Sequence, residues 1–272
     1  KYGIPFKEGN RYFYSRNSGL QNQAVLYTVT SLDAQPQMIL DPNTLSADGT
    51  VALAGLQVSP DGKLLAYSLS ASGSDWQEWK VRDVATGKDL ADDLKWVKFS
   101  GASWTRDGRG FFYNRYDEPK ADALKATNYF QKVYYHKLGT TQADDVLVYE
   151  RPDQKDWLFG ATVTEDGNYL ILTIFQGTDV KNRVYYKNLE AKDSPVVKLL
   201  DDFDAAYTFV GNDGTRFWFQ TDSQAPRGKV IEINVAKPDR ANWKVVVPES
   251  KETLQGSSLV NHKFVLNYLK DA

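Results

Sequence analysis

The fold is decided by a ten-residue stretch, Val58-Ser-Pro-Asp-Gly-Lys-Leu-Leu-Ala-Tyr67. It has the pattern of a strand end, a tight turn and an apolar second strand. Pro60 presets φ at the second turn position, Asp61 follows it, and Gly62 closes the turn where a side chain would crowd. The pattern therefore predicts a β-hairpin, and further copies stand at 104–113, 163–172 and 210–219.

The spacing of these four turns indicates the architecture. Their Asp residues are about 46, 59 and 47 positions apart, close to the length of a four-stranded propeller blade. Third strands are predicted after the hairpins and ahead of the first one, at 23–29, 77–83, 132–138, 183–189 and 229–235. The longer middle interval predicts an insertion at 116–129, either an extended loop or one short helical turn. The expected class is all-β, with antiparallel four-stranded blades.

Counting the blades gives five nearly complete ones in about 1–257 and the start of a sixth in 258–272. Degenerate copies of the repeat at 7–14 and 259–266 extend the series at both ends. A chain that stops inside a blade leaves a ring open, so we expect a fragment or a partner that supplies the rest. Two packed β-sandwiches are the alternative, although sandwiches do not require a blade-length period.

Composition narrows the functional classes. The chain has 272 residues with 33 Lys+Arg against 35 Asp+Glu, and this balance lacks the basic field that nucleic-acid binding needs. The longest apolar stretch, at 169–175, is far shorter than the roughly 20 residues of a membrane span. No nucleic-acid or membrane partner is expected. Cysteine is absent, so a cytoplasmic and a periplasmic location both stay open for this soluble protein.

Catalytic signatures are missing from the sequence. The string nearest to a Gly-x-Ser-x-Gly elbow is Gly101-Ala-Ser-Trp-Thr105, which leads into a turn and a strand, so Ser103 is predicted to be a blade residue. His136 lies in an alternating strand and His262 in a turn, where each is expected to be structural. No catalytic residue, metal ligand or cofactor is predicted in this chain. Solvated turn charges are expected at the pairs Asp92-Asp93, Asp144-Asp145 and Asp201-Asp202.

Long strings outside the repeat carry a more specific signal. They include Asn17-Ser-Gly-Leu-Gln-Asn-Gln23, Ser70-Ala-Ser-Gly-Ser-Asp-Trp76 and Val97-Lys-Phe-Ser100, together with 41–50 and 131–140. In these strings the chain resembles the prolyl oligopeptidases, serine peptidases in which a seven-bladed propeller caps an α/β-hydrolase domain. The resemblance runs from end to end of the chain and covers only propeller.

The resemblance implies a function for the chain. It would be the substrate-gating propeller part of a serine endopeptidase that hydrolyses short peptides after proline. Its partners would be the α/β-hydrolase catalytic domain of the same protein and short proline-containing peptides. The catalytic domain is expected to be absent from residues 1–272. A non-catalytic protein- or peptide-binding propeller is the alternative.

Five substrate-binding residues are implied by the same resemblance. Phe99 matches a family Phe near the bound peptide, and Leu158 stands where relatives can carry Met, a swap that keeps an apolar wall. Phe175 replaces an Arg of some relatives, so only an apolar contact carries over, and Thr178 replaces a Cys. Asp75 resembles an acidic residue near the interdomain face. Two simpler interpretations stay open, a core position for Phe99 and a turn cap for Asp75.

Overall fold

Strands that follow one another along the chain are also neighbours in the sheets, and every pairing is antiparallel. The computed structural model describes residues 1–31, 33–119 and 128–270. It divides into two compact units, Lys1–Lys155 and Asp156–Ala272. The central part of the insertion predicted at 116–129 lies outside the described residues.

The first unit holds three four-stranded sheets. The first sheet contains β1 (Phe6–Glu8), β2 (Arg11–Arg16), β3 (Val25–Val29) and β4 (Gln37–Leu40). The second contains β5 (Val51–Val58), β6 (Leu64–Ala71), β7 (Gln77–Asp83) and β8 (Asp89–Val97). The third contains β9 (Ala102–Trp104), β10 (Gly110–Arg115), β11 (Lys132–Lys137) and β12 (Val146–Tyr149). Short 3₁₀ turns, Pro42–Thr44 and Gln142–Asp144, precede β5 and β12.

The second unit holds two four-stranded sheets and one hairpin. Its first sheet contains β13 (Trp157–Val163), β14 (Tyr169–Gln176), β15 (Asn182–Asn188) and β16 (Val196–Leu200). The next contains β17 (Tyr207–Asp213), β18 (Arg216–Thr221), β19 (Lys229–Asn234) and β20 (Lys244–Val247), with a 3₁₀ turn at Arg240–Asn242. The hairpin is β21 (Thr253–Val260) and β22 (Lys263–Leu269). The prediction of four-stranded antiparallel blades is confirmed.

A hydroxyl and a carboxylate close the repeated turn. Ser59 Oγ donates to Asp61 Oδ1 (2.7 Å), and the backbone N–H of Gly62 donates to the Ser59 carbonyl (2.8 Å). The φ of Gly62 is +74°, which favours glycine because other residues meet steric strain there. The copies at Thr105 and Thr164 make the same hydroxyl-to-carboxylate bond. The fourth copy differs because it has Gly211, without a hydroxyl, at that position, and its loop between β17 and β18 is shorter.

Alternating side chains of one strand serve two cores. In the first unit, Leu65 and Tyr67 of β6 pack with buried residues of the first sheet such as Phe13. The intervening Ala66 packs on the other side, with Trp79 and with Phe111 of the third sheet. Because successive side chains of a strand point to opposite faces, the middle sheet is buried on both faces.

A buried ion triad also joins the second and third sheets, and it corrects the prediction of solvated charges. His136 of β11 donates from Nδ1 toward Asp145 Oδ1 (2.7 Å) and from Nε2 toward Asp92 Oδ1 (2.9 Å). Asp92 belongs to β8, and the side chains of all three residues are at most 2% exposed. The hydroxyl of Tyr113 donates to the other oxygen of Asp145, Oδ2, and the N–H of Gly139 donates to the same Asp92 Oδ1 that His136 bonds. Asp92 and Asp145 are therefore structural partners of a charged histidine. The pairing of each with a neighbouring Asp in the sequence did not indicate this role.

The electrostatics of the triad favour imidazolium. Burial works against the charge of His136, but hydrogen bonds and the charges of Asp145 and Asp92 outweigh it and raise the pKa of His136 to about 9. Burial opposes the charge of Asp92 as well, yet the bond from His136 keeps the pKa of Asp92 below its ordinary value. Since the folded pKa of His136 exceeds its usual 6.5, its stabilising contribution is complete below about pH 6.5 and is lost as the pH rises through about 9.

We predict that His136→Asn lowers the free energy of unfolding at pH 6.5 by roughly 3–5 kcal/mol, because it leaves two buried carboxylates without their cation. His262→Asn is the matched control, since His262 is exposed in the β21–β22 turn. Urea denaturation at pH 6.5, 8 and 10 should show stability falling with pH in the unsubstituted protein and in the control. A stability of the unsubstituted protein that stays constant across this range would contradict the charged triad.

Candidate functional site

The five candidate residues share a place in their sheets. In each sheet, the first strand begins, the second strand ends and the third strand begins at the same end of the sheet. We name this end the leading end. Asp75 lies in the loop from β6 to β7, and Phe99 lies between β8 and β9. Leu158 lies near the start of β13, Phe175 near the end of β14, and Thr178 in the turn that follows β14. All five therefore belong to leading ends, and none to the opposite ends, where the Asp-Gly turns stand.

Phe99 projects from the first unit into solvent. Its exposed fraction is 57%, so the structure places it outside the core. Its φ is +52°, a left-handed value that bulky residues rarely adopt. Backbone strain of this kind clusters at functional sites, where the surrounding structure holds it. The exposed ring is therefore accessible to another molecule.

Asp75 is exposed beside an aromatic cluster. The bond that closes its loop comes from Ser74, whose Oγ accepts from the Trp76 backbone N–H (3.1 Å). The turn-cap interpretation of Asp75 has no support among the described residues, where its carboxylate has no recorded partner. Trp76 packs edge-on against Trp96 (5.8 Å between ring centroids) and Tyr116 (6.0 Å). These three rings form the Trp76 cluster.

The Trp76 cluster was not predicted from the sequence, although its rings flank strand ends. Trp76 and Trp96 line an apolar cleft of about 290 Å³ over β6 and β7. Burial raises the pKa of the Tyr116 hydroxyl to about 12. The high aromatic content of the chain is consistent with such a cluster. However, Trp76, Trp96 and Tyr116 are 20 residues apart in sequence, and this spacing does not indicate that their rings pack together.

In the second unit the structure brings two candidate residues together. Leu158 and Phe175 are direct cross-strand partners on β13 and β14. Phe175 is 42% exposed, and its ring leans toward Gly160, where a Cβ would lie 3.6 Å from Phe175 Cε2. Thr178 is exposed directly after Gly177, whose φ is +60°. Leu158 and Phe175 thus form one apolar wall, with the Thr178 hydroxyl beyond its end.

A cleft of about 300 Å³ continues from this wall. Phe175 and Val180 line one side, and Tyr207 and Phe209 of β17 line the other. Asn182 ties the two sheets together, because its side chain bonds both the N–H (2.7 Å) and the carbonyl (2.9 Å) of Tyr207. The lining residues include no Lys, Arg, Asp or Glu, so the cleft suits apolar groups.

The serine and the histidine considered as catalytic candidates are both part of the sheet structure. Ser103 lies inside β9 and pairs with Phe112, as the sequence predicted for a blade residue. His136 is committed to the buried triad. Within 1–31, 33–119 and 128–270, no cluster of three metal-ligating side chains is found. No helix in those ranges has the length and apolar character to cross a membrane.

The chain is similar to known proteins along its whole length. The family model described as "Prolyl oligopeptidase, N-terminal beta-propeller domain" matches residues 1–272. The prolyl endopeptidase of Elizabethkingia meningoseptica is 36% identical over 100% of this chain and 38% of its own length. Prolyl oligopeptidase A of Amanita bisporigera is 35% identical over 92% of this chain and 36% of its own length. The chain therefore spans less than two fifths of these relatives.

Solved structures of prolyl oligopeptidases superpose on the chain. One of two prolyl endopeptidases analysed together for inter-domain dynamics superposes with a TM-score of 0.90 at 36% identity, covering 100% of this chain and 39% of that chain. Prolyl oligopeptidase B from Galerina marginata, bound to a 35mer hydrolysis and macrocyclization substrate, gives a TM-score of 0.91 at 31% identity, covering 100% and 41%. The fold is that of a propeller and not of two packed sandwiches. The chain belongs to the prolyl oligopeptidase N-terminal β-propeller family.

Proposed function

We propose that this chain is the substrate-gating propeller part of a serine endopeptidase that hydrolyses short peptides after proline. The observation that carries the proposal is the 36% identity to a prolyl endopeptidase along the whole chain. Its partners would be the α/β-hydrolase catalytic domain of the same protein and short proline-containing peptides. The proposed arrangement is a seven-bladed ring, with five blades in about 1–257 and the start of a sixth in 258–272.

The chemistry would be divided between the two domains. Ser103 and His136 are bound into sheets, so the nucleophile and its base would come from the catalytic domain. The propeller would bind and orient the peptide and restrict its size. Orientation accelerates a reaction because the freedom of the reacting groups is lost on binding instead of in the transition state.

The leading ends would supply the peptide contacts. Phe99 offers an exposed ring in the first unit, and Leu158 with Phe175 offers an apolar wall in the second. The ring of Phe175 in place of Arg would favour apolar peptide residues, because it offers no charge to a carboxylate. Thr178 would add a hydroxyl donor, and Asp75 a carboxylate for a basic group of the peptide or of the catalytic domain.

We predict that the full-length protein releases chromophore from a Gly-Pro substrate and is inactivated by a serine-directed phosphonate. Residues 1–272 alone should show no turnover, because Ser103 lies inside β9 as a blade residue and His136 is committed to the buried triad. Steady-state assays of both proteins are the measurement. Peptide binding by the full-length protein without hydrolysis would favour the alternative, a non-catalytic binding propeller.

We predict that Phe99→Ala in the full-length protein lowers kcat/KM for proline-containing peptides by about 10–200-fold, the range for loss of an apolar wall. Stability should change by less than about 1 kcal/mol, because the ring is mostly exposed. The control is Leu90→Ala, an exposed apolar side chain at the opposite end of the second sheet. Kinetics and denaturation midpoints would be measured on the same preparations. Unchanged kcat/KM in Phe99→Ala would remove Phe99 from the peptide site.

A further inference from the structure

The backbone around Phe99 is anchored on both sides. On one side, Lys98 Nζ lies 4.3 Å from the centroid of the Trp76 ring. The carbonyl of Lys98 accepts a hydrogen bond from Gln131 Nε2 (2.9 Å). On the other side, Ser100 Oγ accepts from a backbone N–H of β10 (2.7 Å). Phe99 is therefore an exposed residue between two anchored neighbours.

Lys98 is unusual for a lysine. It is only 7% exposed, whereas lysine is almost never buried unless paired. Among the described residues, no carboxylate is recorded within ion-pair distance of its ammonium, and the recorded contact of that charge is the Trp76 ring. An ammonium over the face of an indole is attracted by the ring quadrupole, and tryptophan is the best aromatic partner. The ring therefore takes the place of a counter-ion.

Trp76 is itself a fixed platform. It packs edge-on against two further aromatic rings, Trp96 and Tyr116. The contact of the Lys98 ammonium with the Trp76 ring fixes the position of Lys98. The hydrogen bond from Gln131 to the Lys98 carbonyl fixes the direction of the following peptide unit. Because the side chain of Gln131 is buried, with the residue 1% exposed, this second anchor is shielded from water.

The left-handed φ of Phe99 explains why anchors are needed. A free segment with a bulky side chain would leave this region of φ, since it is sterically unfavourable. Without the anchors the ring would sample several directions. A ring that is ordered before binding loses less conformational entropy when the peptide arrives.

We propose that Lys98 is a positioning residue, which fixes the exposed ring of Phe99 toward the peptide through its cation-π contact with Trp76. The proposal rests on the proposed function of Phe99 as a peptide contact. Lys98 does not touch the peptide in this account, and its effect on catalysis passes entirely through Phe99.

The first test reads the anchored segment without using activity. The full-length protein is treated with a low concentration of chymotrypsin, and the initial rate of cleavage after Phe99 is followed by mass spectrometry. Lys98→Met keeps the length and apolar bulk of the side chain but removes its charge, so we expect cleavage after Phe99 to rise by about fivefold, the factor of one such contact. Lys98→Arg retains a cation over the ring and should restore the original rate.

The matched control is Lys88→Met, which makes the same change at an exposed lysine in the turn between β7 and β8, at the opposite end of the same sheet. It should leave cleavage after Phe99 unchanged. An unchanged rate in Lys98→Met would overturn the proposal. So would an equal rise at sites throughout the chain, because that result indicates general destabilisation.

The second test asks whether Lys98 acts through Phe99. In the full-length protein, Lys98→Met should lower kcat/KM for a proline-containing peptide by about fivefold, mainly through KM, and Lys98→Arg should recover it. In a Phe99→Ala background the same Lys98→Met change should have no further effect, because the ring that Lys98 positions is gone. An equal loss in both backgrounds, or no loss in either, would overturn the positioning role.

The two tests fail in different ways if the underlying proposal is wrong. A full-length protein without prolyl endopeptidase activity would remove the proposed function but would leave the cleavage result to report on the anchors. Normal activity in Phe99→Ala combined with reduced activity in Lys98→Met would show that Lys98 acts by another route.

Discussion

Each inner sheet of a unit has two faces to bury, and the rest of the structure depends on this constraint. In β6 the side chains of Leu65 and Tyr67 enter one core and that of Ala66 enters another. In β18 Phe217 and Phe219 join one core, while Trp218 joins a second with Leu254. A sheet covered on both faces cannot shift its register by one residue without moving every side chain into the opposite core, so its ends are rigid supports for loops.

Because most large apolar side chains of the sheets are buried, the ones that stay exposed indicate candidate contact surfaces. Phe175 lies on β14, where Tyr169 is buried, and Phe99 lies beside β9, where Trp104 is buried, yet both phenylalanine rings face solvent at leading ends. The opposite exception is a charged side chain that is buried. His136 with its two carboxylates and Lys98 on Trp76 are buried charges, and each is compensated by a specific partner. One set supports the sheets, and the other supports a loop at a leading end.

The blade pattern could be predicted because turn chemistry and alternation are local properties. The strands predicted at 77–83 and 132–138 are β7 and β11, almost residue for residue. The triad could not be predicted, since Asp92 and His136 are 44 residues apart and alternation gives the face of a side chain but not its depth or partner. Phe99 is exposed and Lys98 is buried in a segment with two left-handed residues, Trp96 (φ +60°) and Phe99 (φ +52°), and no composition signal indicates such a backbone for aromatic residues.

We propose that the leading ends face the substrate, and photo-cross-linking distinguishes them from the opposite ends of the same sheets. A proline-containing peptide inhibitor that carries a benzophenone would be irradiated with the full-length protein, and adducts would be mapped by mass spectrometry. We expect adducts in residues 96–101 or 175–180 that unlabelled peptide competes away. Adducts confined to the turns that carry Asp61, Asp107 and Asp166, at the opposite ends of the same sheets, would contradict it.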